Sequence, residues 1–326
     1  MLIISDGIIS LPPKYLLITE QVLESIVAAD EIASLVKFCS AETGLKILNS
    51  QSLRWSSPHL FNDPFEPDHN SEPDFTPETL LKGMIKEAIS MLFGPSEPSG
   101  KSNRLVAAIA RWRDEERFGS EDEAEVVLNQ LLSQVARQQQ EAIDDYLSTW
   151  RQFARSLRIC TFSDKPANMF AWQRYADNHA GIALRFSAGD DTALPETHRM
   201  LYSPNPPVVT SLKQQIAITY GKEPELSNKN FLEKLMTKNK AINVEREWRC
   251  FSTESGSTDA DEQLWYTNKK FSTPELKAIY LGLATSRQTR DEVIKLVKEK
   301  YKRTKVYQAE ALKGRYEIDF VQVGTK

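Results

Sequence analysis

Cysteine is scarce in this chain of 326 residues. Only Cys39, Cys160 and Cys250 occur, odd in number and far apart. Such spacing suits neither a disulfide framework nor a paired-cysteine zinc site, so reduced thiols in the cytosol are expected. No stretch approaches the ~18 uncharged apolar residues that a membrane helix needs. The first ten residues are apolar, but they contain Asp6, lack a basic start and run into Pro12 and Pro13, which does not read as a signal peptide. Together these gaps predict a cytoplasmic protein with no membrane partner. Charge of one sign is also lacking: Lys and Arg number 41 against 45 Asp and Glu, a formal net charge of −4. There is no global pull toward nucleic acid or an anionic membrane, and either would need a local patch. No internal repeat stands out.

What remains is an ordinary globular balance, 40% hydrophobic and 26% charged, long enough for one large domain or two smaller ones. Residues 1–34 read as an N-terminal appendage, with a helix over 20–29 capped by Thr19. The segment that follows reads as strand, helix, strand: Leu35 to Cys39, a helix capped by Ser40, then Ser52 to Ser57 ended by Pro58. Residues 59–77 read as an ordered loop that Phe61 and Phe65 can anchor. A mainly helical insert is predicted over about 76–157, with helices at 78–93, 103–117 and 121–157. In the longest, Val127, Leu131, Val135, Ala142, Tyr146, Trp150, Phe153 and Leu157 recur at three- and four-residue steps and form the expected apolar stripe. Strands return at 158–163, 181–186, 199–203, 247–252, 278–282, 304–310 and 316–322, with helices at 210–219, 228–240 and 290–302 and a polar loop at 254–262. The expected fold is α+β: residues 35–326 as one domain around a mixed central sheet.

Three clusters could carry chemistry. In the first, Trp55, Ser56, Ser57 and Pro58 precede Phe61, Asn62, Asp63, Pro64, Phe65 and Glu66, either a structural turn or a ligand-facing loop at a strand end. The second runs from Phe170 through Trp172, Arg174, Tyr175 and His179 to Gly181. Trp172, Tyr175 and Ala176 share a helical face, which suits core packing, while a flat aromatic beside Arg174 could stack on a base or nicotinamide ring. The third is Glu245-Arg246-Glu247-Trp248-Arg249. If extended, it puts Glu245, Glu247 and Arg249 on one face. Two neighbouring carboxylates raise one another's pKa unless a cation or metal intervenes, and Arg249 is the local candidate. An exposed edge strand with a salt-bridge pattern and a carboxylate pair serving a site both fit.

In this order the clusters resemble the bacterial family catalogued as a domain of unknown function, number 2971. The likeness rests on Lys37-Phe38, Ile47-Leu48, Trp55 to Glu66, Cys160 to Ser163, Trp172 to Gly181 and Glu245 to Arg249, over about residues 35–283. The chain departs from it at Thr161, which lengthens the usual Cys-Phe-Ser step, and in the helical insert. The opening strand, helix and second strand are also similar to the first segment of the ADP-ribosyltransferase fold. That resemblance implies an NAD-using transferase or hydrolase, acting as a toxin or phage-defence effector on a protein or nucleic-acid acceptor, with a cognate antitoxin or regulator as a further partner. It implies that Glu247 holds the ribose of NAD and stabilises an oxocarbenium-like transition state, with Glu245 tuning it or orienting the acceptor. Trp55, Ser56 and Tyr175 would line the nicotinamide end and Arg174 or Arg249 the diphosphate, with Asn62 and Trp172 at the same site. The first strand lacks the expected histidine or arginine, and Lys37 is the nearby polar residue. Two readings compete with it. One is a metal-dependent nuclease using Asp63, Glu66, Glu245 and Glu247, although a lysine two residues beyond the acidic pair is missing. The other is a non-catalytic ligand-sensing or interaction module, which a fully salt-bridged Glu245/Glu247 face would favour.

Overall fold

The computed structural model describes residues 32–66, 73–96, 103–222, 234–253 and 265–324. The expected N-terminal helix, the loop at 254–262 and the first part of the expected helix at 228–240 lie outside these residues.

The chain opens with β1 (Ser34–Cys39), α1 (Ala41–Ser50) and β2 (Ser52–Ser56). The side chain of Ser40 accepts from the Thr43 amide, Glu42 sits in the first turn, and Gln51 stops the helix in a left-handed conformation with its N–H on Ile47 O. The insert follows as α2 (Pro77–Phe93), α3 (Arg104–Asp114) and α4 (Glu121–Ser156), which at 36 residues spans about 54 Å. The remaining elements are β3 (Leu157–Ser163), α5 (Met169–Tyr175), β4 (Ile182–Ser187), β5 (Thr197–Arg199), β6 (Leu201–Ser203), α6 (Leu212–Thr219) and β7 (Thr237–Asn239). After them come β8 (Glu247–Thr253), β9 (Tyr266–Lys270), β10 (Leu276–Leu281), α7 (Arg287–Lys300), β11 (Lys305–Ala311) and β12 (Ile318–Gln322).

Ten of these strands form one mixed sheet, in the order β12-β11-β10-β4-β1-β3-β2-β9, with β8 on β3 and β5 on β8. The pairs are antiparallel apart from β10 and β11, which α7 joins as a crossover. The sheet forks at β3. It pairs with β8 from Leu157↔Thr253 to Ser163↔Glu247, whereas β1 meets it at Ser163 and β2 at Ile159. Cys160 and Cys250, in the two strands of similar sequence, are direct cross-strand partners and both are buried free thiols.

Three cores sit around this sheet. One joins α2, α3 and α4 to Leu157, Ile159 and Phe251, so the insert packs as a helical layer on the β3–β8 part. A second unites α1 and α7 with Leu35, Leu53, Trp55, Trp248 and Cys250. The third gathers Val36, Phe38, Trp172, Ala183 and Tyr280.

Several expectations need correcting. The apolar stripe of α4 begins one residue out of phase: Leu128, Leu132, Ala136, Ile143 and Leu147 are buried, while Leu131 is half exposed. Adjacent apolar pairs such as Leu131 and Leu132 allow either phase, and packing chooses. The expected strand at 199–203 is broken at Met200, where β5 stays with the main sheet and β6 leaves to pair in parallel with β7. That pairing also turns residues 237–239, expected to be helical, into strand. β9 had no counterpart in the sequence reading, because Tyr266-Thr-Asn-Lys-Lys270 is a polar edge strand without apolar alternation. Among the described residues no helix is long and apolar enough to cross a membrane.

Candidate functional site

Alternation along β8 creates the site. Trp248 and Cys250 enter the second core, and Glu247 and Arg249 line a cavity of about 890 Å³. The strand is no exposed edge, since β3 flanks it on one side and β5 on the other. Its charged face is therefore buried, with Arg249 only 1% and Glu247 7% exposed. Glu245 does not share the strand. It closes a 3-10 turn over Lys240–Glu245, and Arg246 in a left-handed conformation (φ 49°) resets the chain before β8. Its carboxylate still converges on the cavity, because Lys238 collects it.

Lys238 is the hub. Its Nζ donates to Glu247 Oε2 at 2.8 Å and to Glu245 Oε2 at 3.0 Å, and lies 3.9 Å from both Glu66 Oε1 and Asp63 Oδ2. Arg249 completes the set: Nε donates to Glu247 Oε1 at 2.6 Å, and Nη1 and Nη2 donate to Glu66 at 3.0 and 2.5 Å. Tyr175 Oη donates to Glu245 Oε1 at 2.6 Å, and Tyr202 Oη accepts from the Glu247 amide at 2.9 Å. Burial alone would raise the Glu247 carboxyl, but Arg249 and Lys238 outweigh it and hold its pKa down to about 2. Both cations are raised in return, each against its own desolvation. Burial, then the bond to Glu245, pushes the Tyr175 phenol up, so it remains a donor at neutral pH. Among the described residues, with all groups ionised, four carboxylates surround two cations, and the cluster keeps an acidic excess.

The loop after β2 is pinned differently from expectation. Phe61 packs against the insert core, but Phe65 is 64% exposed rather than buried. The buried anchor is Glu66. Asp63 forms the expected turn, accepting from the Phe65 amide at 3.0 Å.

Of the sequence-predicted site residues, the cavity brings together Lys37, Asn62, Arg174, Tyr175, Glu245, Glu247 and Arg249. Trp55, Ser56 and Trp172 do not line it. Trp55 is buried among Leu53, Cys160 and Trp248 with Lys269 over its ring at 4.5 Å, so its indole fills core rather than facing a ligand. Ser56 pairs within the sheet with Ile159 and Tyr266. Trp172 is 0% exposed; its edge meets Phe38, its Nε1 donates to Pro166 O at 2.7 Å, and His179 stacks on it. It packs against β1 through Phe38.

Sequence reasoning missed Lys238, Lys234 and Tyr202. A signal for Lys238 existed in the arithmetic of charge: Asp63, Glu66, Glu245 and Glu247 cannot all be served by Arg249. Which lysine would answer was settled only by the β6–β7 pairing. Among the described residues, no group of three or more His, Cys, Asp or Glu is arranged to hold a metal. Compared with protein-family models, curated proteins and solved structures, the chain shows no match.

Proposed function

We propose that the cavity binds NAD and that the protein transfers or hydrolyses its ADP-ribose, within a fold of ADP-ribosyltransferase type. The observation that carries this reading is the acidic excess around Lys238, with Glu247 held ionised on the cavity wall. Such a wall favours a ligand that carries or develops positive charge, as the nicotinamide ring and the oxocarbenium formed on its departure both do. Carboxylate oxygens have about four acceptor sites between them. Arg249 and Lys238 use two on Glu247, which leaves capacity for a ribose hydroxyl. Glu245 and Tyr175 would set the position of Lys238, and Tyr175, 43% exposed, offers an aromatic edge to the ligand. The cavity volume falls within the range usual for small-molecule sites.

A second reading, the non-catalytic ligand-sensing module, draws on a different observation: every oxygen of Glu245 and Glu247 already accepts from Lys238, Arg249 or Tyr175. The nuclease reading is the weakest. The point where Asp63, Glu66, Glu245 and Glu247 converge is taken by an ammonium, which repels a divalent cation.

The test is calorimetry with NAD, followed by nicotinamide release in the presence of a chelator and of protein and nucleic-acid acceptors. Turnover that falls roughly 10²–10³-fold in Glu247→Gln supports the transferase. Binding without turnover selects the module. If NAD neither binds nor turns over, the NAD reading is wrong.

A further inference from the structure

Among the described residues, five cationic side chains line the cavity, against four carboxylates. Those carboxylates are all gathered on Lys238 and Arg249. The other three cations, Lys37, Arg174 and Lys234, make no ion pair with any described residue. Two of them have other support. Lys37 Nζ donates to Thr161 O at 2.8 Å and to its hydroxyl at 3.3 Å, while the Arg174 guanidinium is exposed and lies 5.9 Å from the Tyr175 ring. Lys234 has neither. The residue is 6% exposed and lines the cavity, and its ammonium, which keeps contact with the cavity solvent, has no hydrogen-bond partner among the described residues. Burial pulls its pKa below the ordinary value, as expected where no counter-charge is present.

A buried lysine is almost always paired, because desolvating an ammonium is costly unless an anion offsets it. Here the protein supplies none within the described residues, and the open side of the group is a ligand-sized cavity. We propose that Lys234 anchors an anion subsite, and that the ligand of this cavity carries a diphosphate which Lys234 contacts, with Lys37 and Arg174 adding to the field. A single carboxylate would answer one of the three unpaired cations. A diphosphate, with two or three charges, answers the set. The inference deepens the NAD reading by placing the dinucleotide's linkage at Lys234, but it stands on the unpaired cations rather than on Glu247.

The experiment uses ADP, inorganic pyrophosphate and neutral adenosine as probes on the full chain. By calorimetry, the wild type is expected to bind pyrophosphate, and to bind ADP at least tenfold more tightly than adenosine. In Lys234→Met, which keeps the apolar stem and removes the charge, that preference should shrink to about threefold or less. Its melting temperature should not fall, because no ion pair with a described residue is lost. If circular dichroism shows Lys234→Met to be misfolded, Lys234→Gln carries the same comparison. The proposal is overturned if ADP and adenosine bind alike, if pyrophosphate does not bind, or if the charge-removing variant keeps the preference. The two readings fail separately. A Lys234-dependent ADP preference without NAD turnover sinks only the enzyme, and turnover without that preference sinks only the subsite.

Discussion

Arg249 holds both carboxylate oxygens of Glu66, Nη1 on Oε2 at 3.0 Å and Nη2 on Oε1 at 2.5 Å, and so ties the loop after β2 to the middle of the sheet. Both residues are nearly inaccessible to water. Removing one partner of a buried pair strands the other, typically at about 3–5 kcal/mol, whereas replacing both with apolar groups costs far less. Glu66→Ala should therefore lower the unfolding free energy by about that amount. Because Arg249 also serves the buried Glu247, the double variant Glu66→Leu with Arg249→Met strands that carboxylate in turn and should be no more stable than Glu66→Ala alone. Denaturant unfolding decides, and a Glu66→Ala protein as stable as wild type would contradict the buried pairing.

Acid should loosen the cluster in a defined direction. The folded-state pKa of Glu247 lies at about 2, below its ordinary 4.5. The unfolded chain thus takes up this proton first as pH falls. The stability Glu247 contributes is complete above about pH 4.5 and is lost progressively toward pH 2. Melting temperatures measured from pH 6 to pH 2 should show a shallower acid decline in Glu247→Gln than in wild type. Parallel curves would remove Glu247 as a source of that decline.

Lys238→Met leaves four carboxylates facing one another with Arg249 as the remaining cation of the described cluster. It should be strongly destabilised, and Lys238→Arg, which keeps the positive charge, should recover part of the loss. Thermal melts of the wild type and both variants test this. A Lys238→Arg protein as unstable as Lys238→Met would mean that the charge is not what the cluster needs.

Backbone contact around α5 leaves no room for side-chain growth. A Cβ on Gly181 would lie 2.2 Å from Cys39 O, and one on Gly282 would lie 2.1 Å from His179 O. Just before Gly181, Asp177, Asn178 and His179 all take left-handed conformations, with φ of 46°, 49° and 71°. Gly181→Ala and Gly282→Ala should each cost about 2 kcal/mol or more, since backbone must move. Loss below ~0.5 kcal/mol in either would show that this turn can shift freely.

Much of the fold was legible because its central strands are short apolar runs buried at nearly every position, as in β4 and β10. The insert was legible too, through the three- and four-residue periodicity of α4. Its phase was not, because neighbouring apolar residues compete for the same stripe. At the site, Glu245, Glu247 and Arg249 could be read from their spacing, even though a turn rather than an extended strand delivers Glu245. Lys238 could not. Three polar residues, Thr237 to Asn239, have no pattern of their own and become a strand by pairing with β6. The misreading of Trp55 and Trp172 has a common cause: an aromatic near polar motifs looks like a ligand platform, yet its area is most often spent in the core.

The span of the charge network in sequence bears on how the molecule folds. Glu66 and Arg249 are 183 positions apart, and Tyr175 and Glu245 are 70 apart, so the network closes only after chain segments far larger than any local element have come together. Contacts of such long range form late, because the entropy of closing those loops must be met first. Interactions absent from the folding transition state govern how fast the native state is left, not how fast it is reached. Substitutions at Glu66 or Lys238 should therefore steepen loss of structure in unfolding experiments and change refolding rates little, which makes the floor of the cavity also the latch that sets the lifetime of the folded chain.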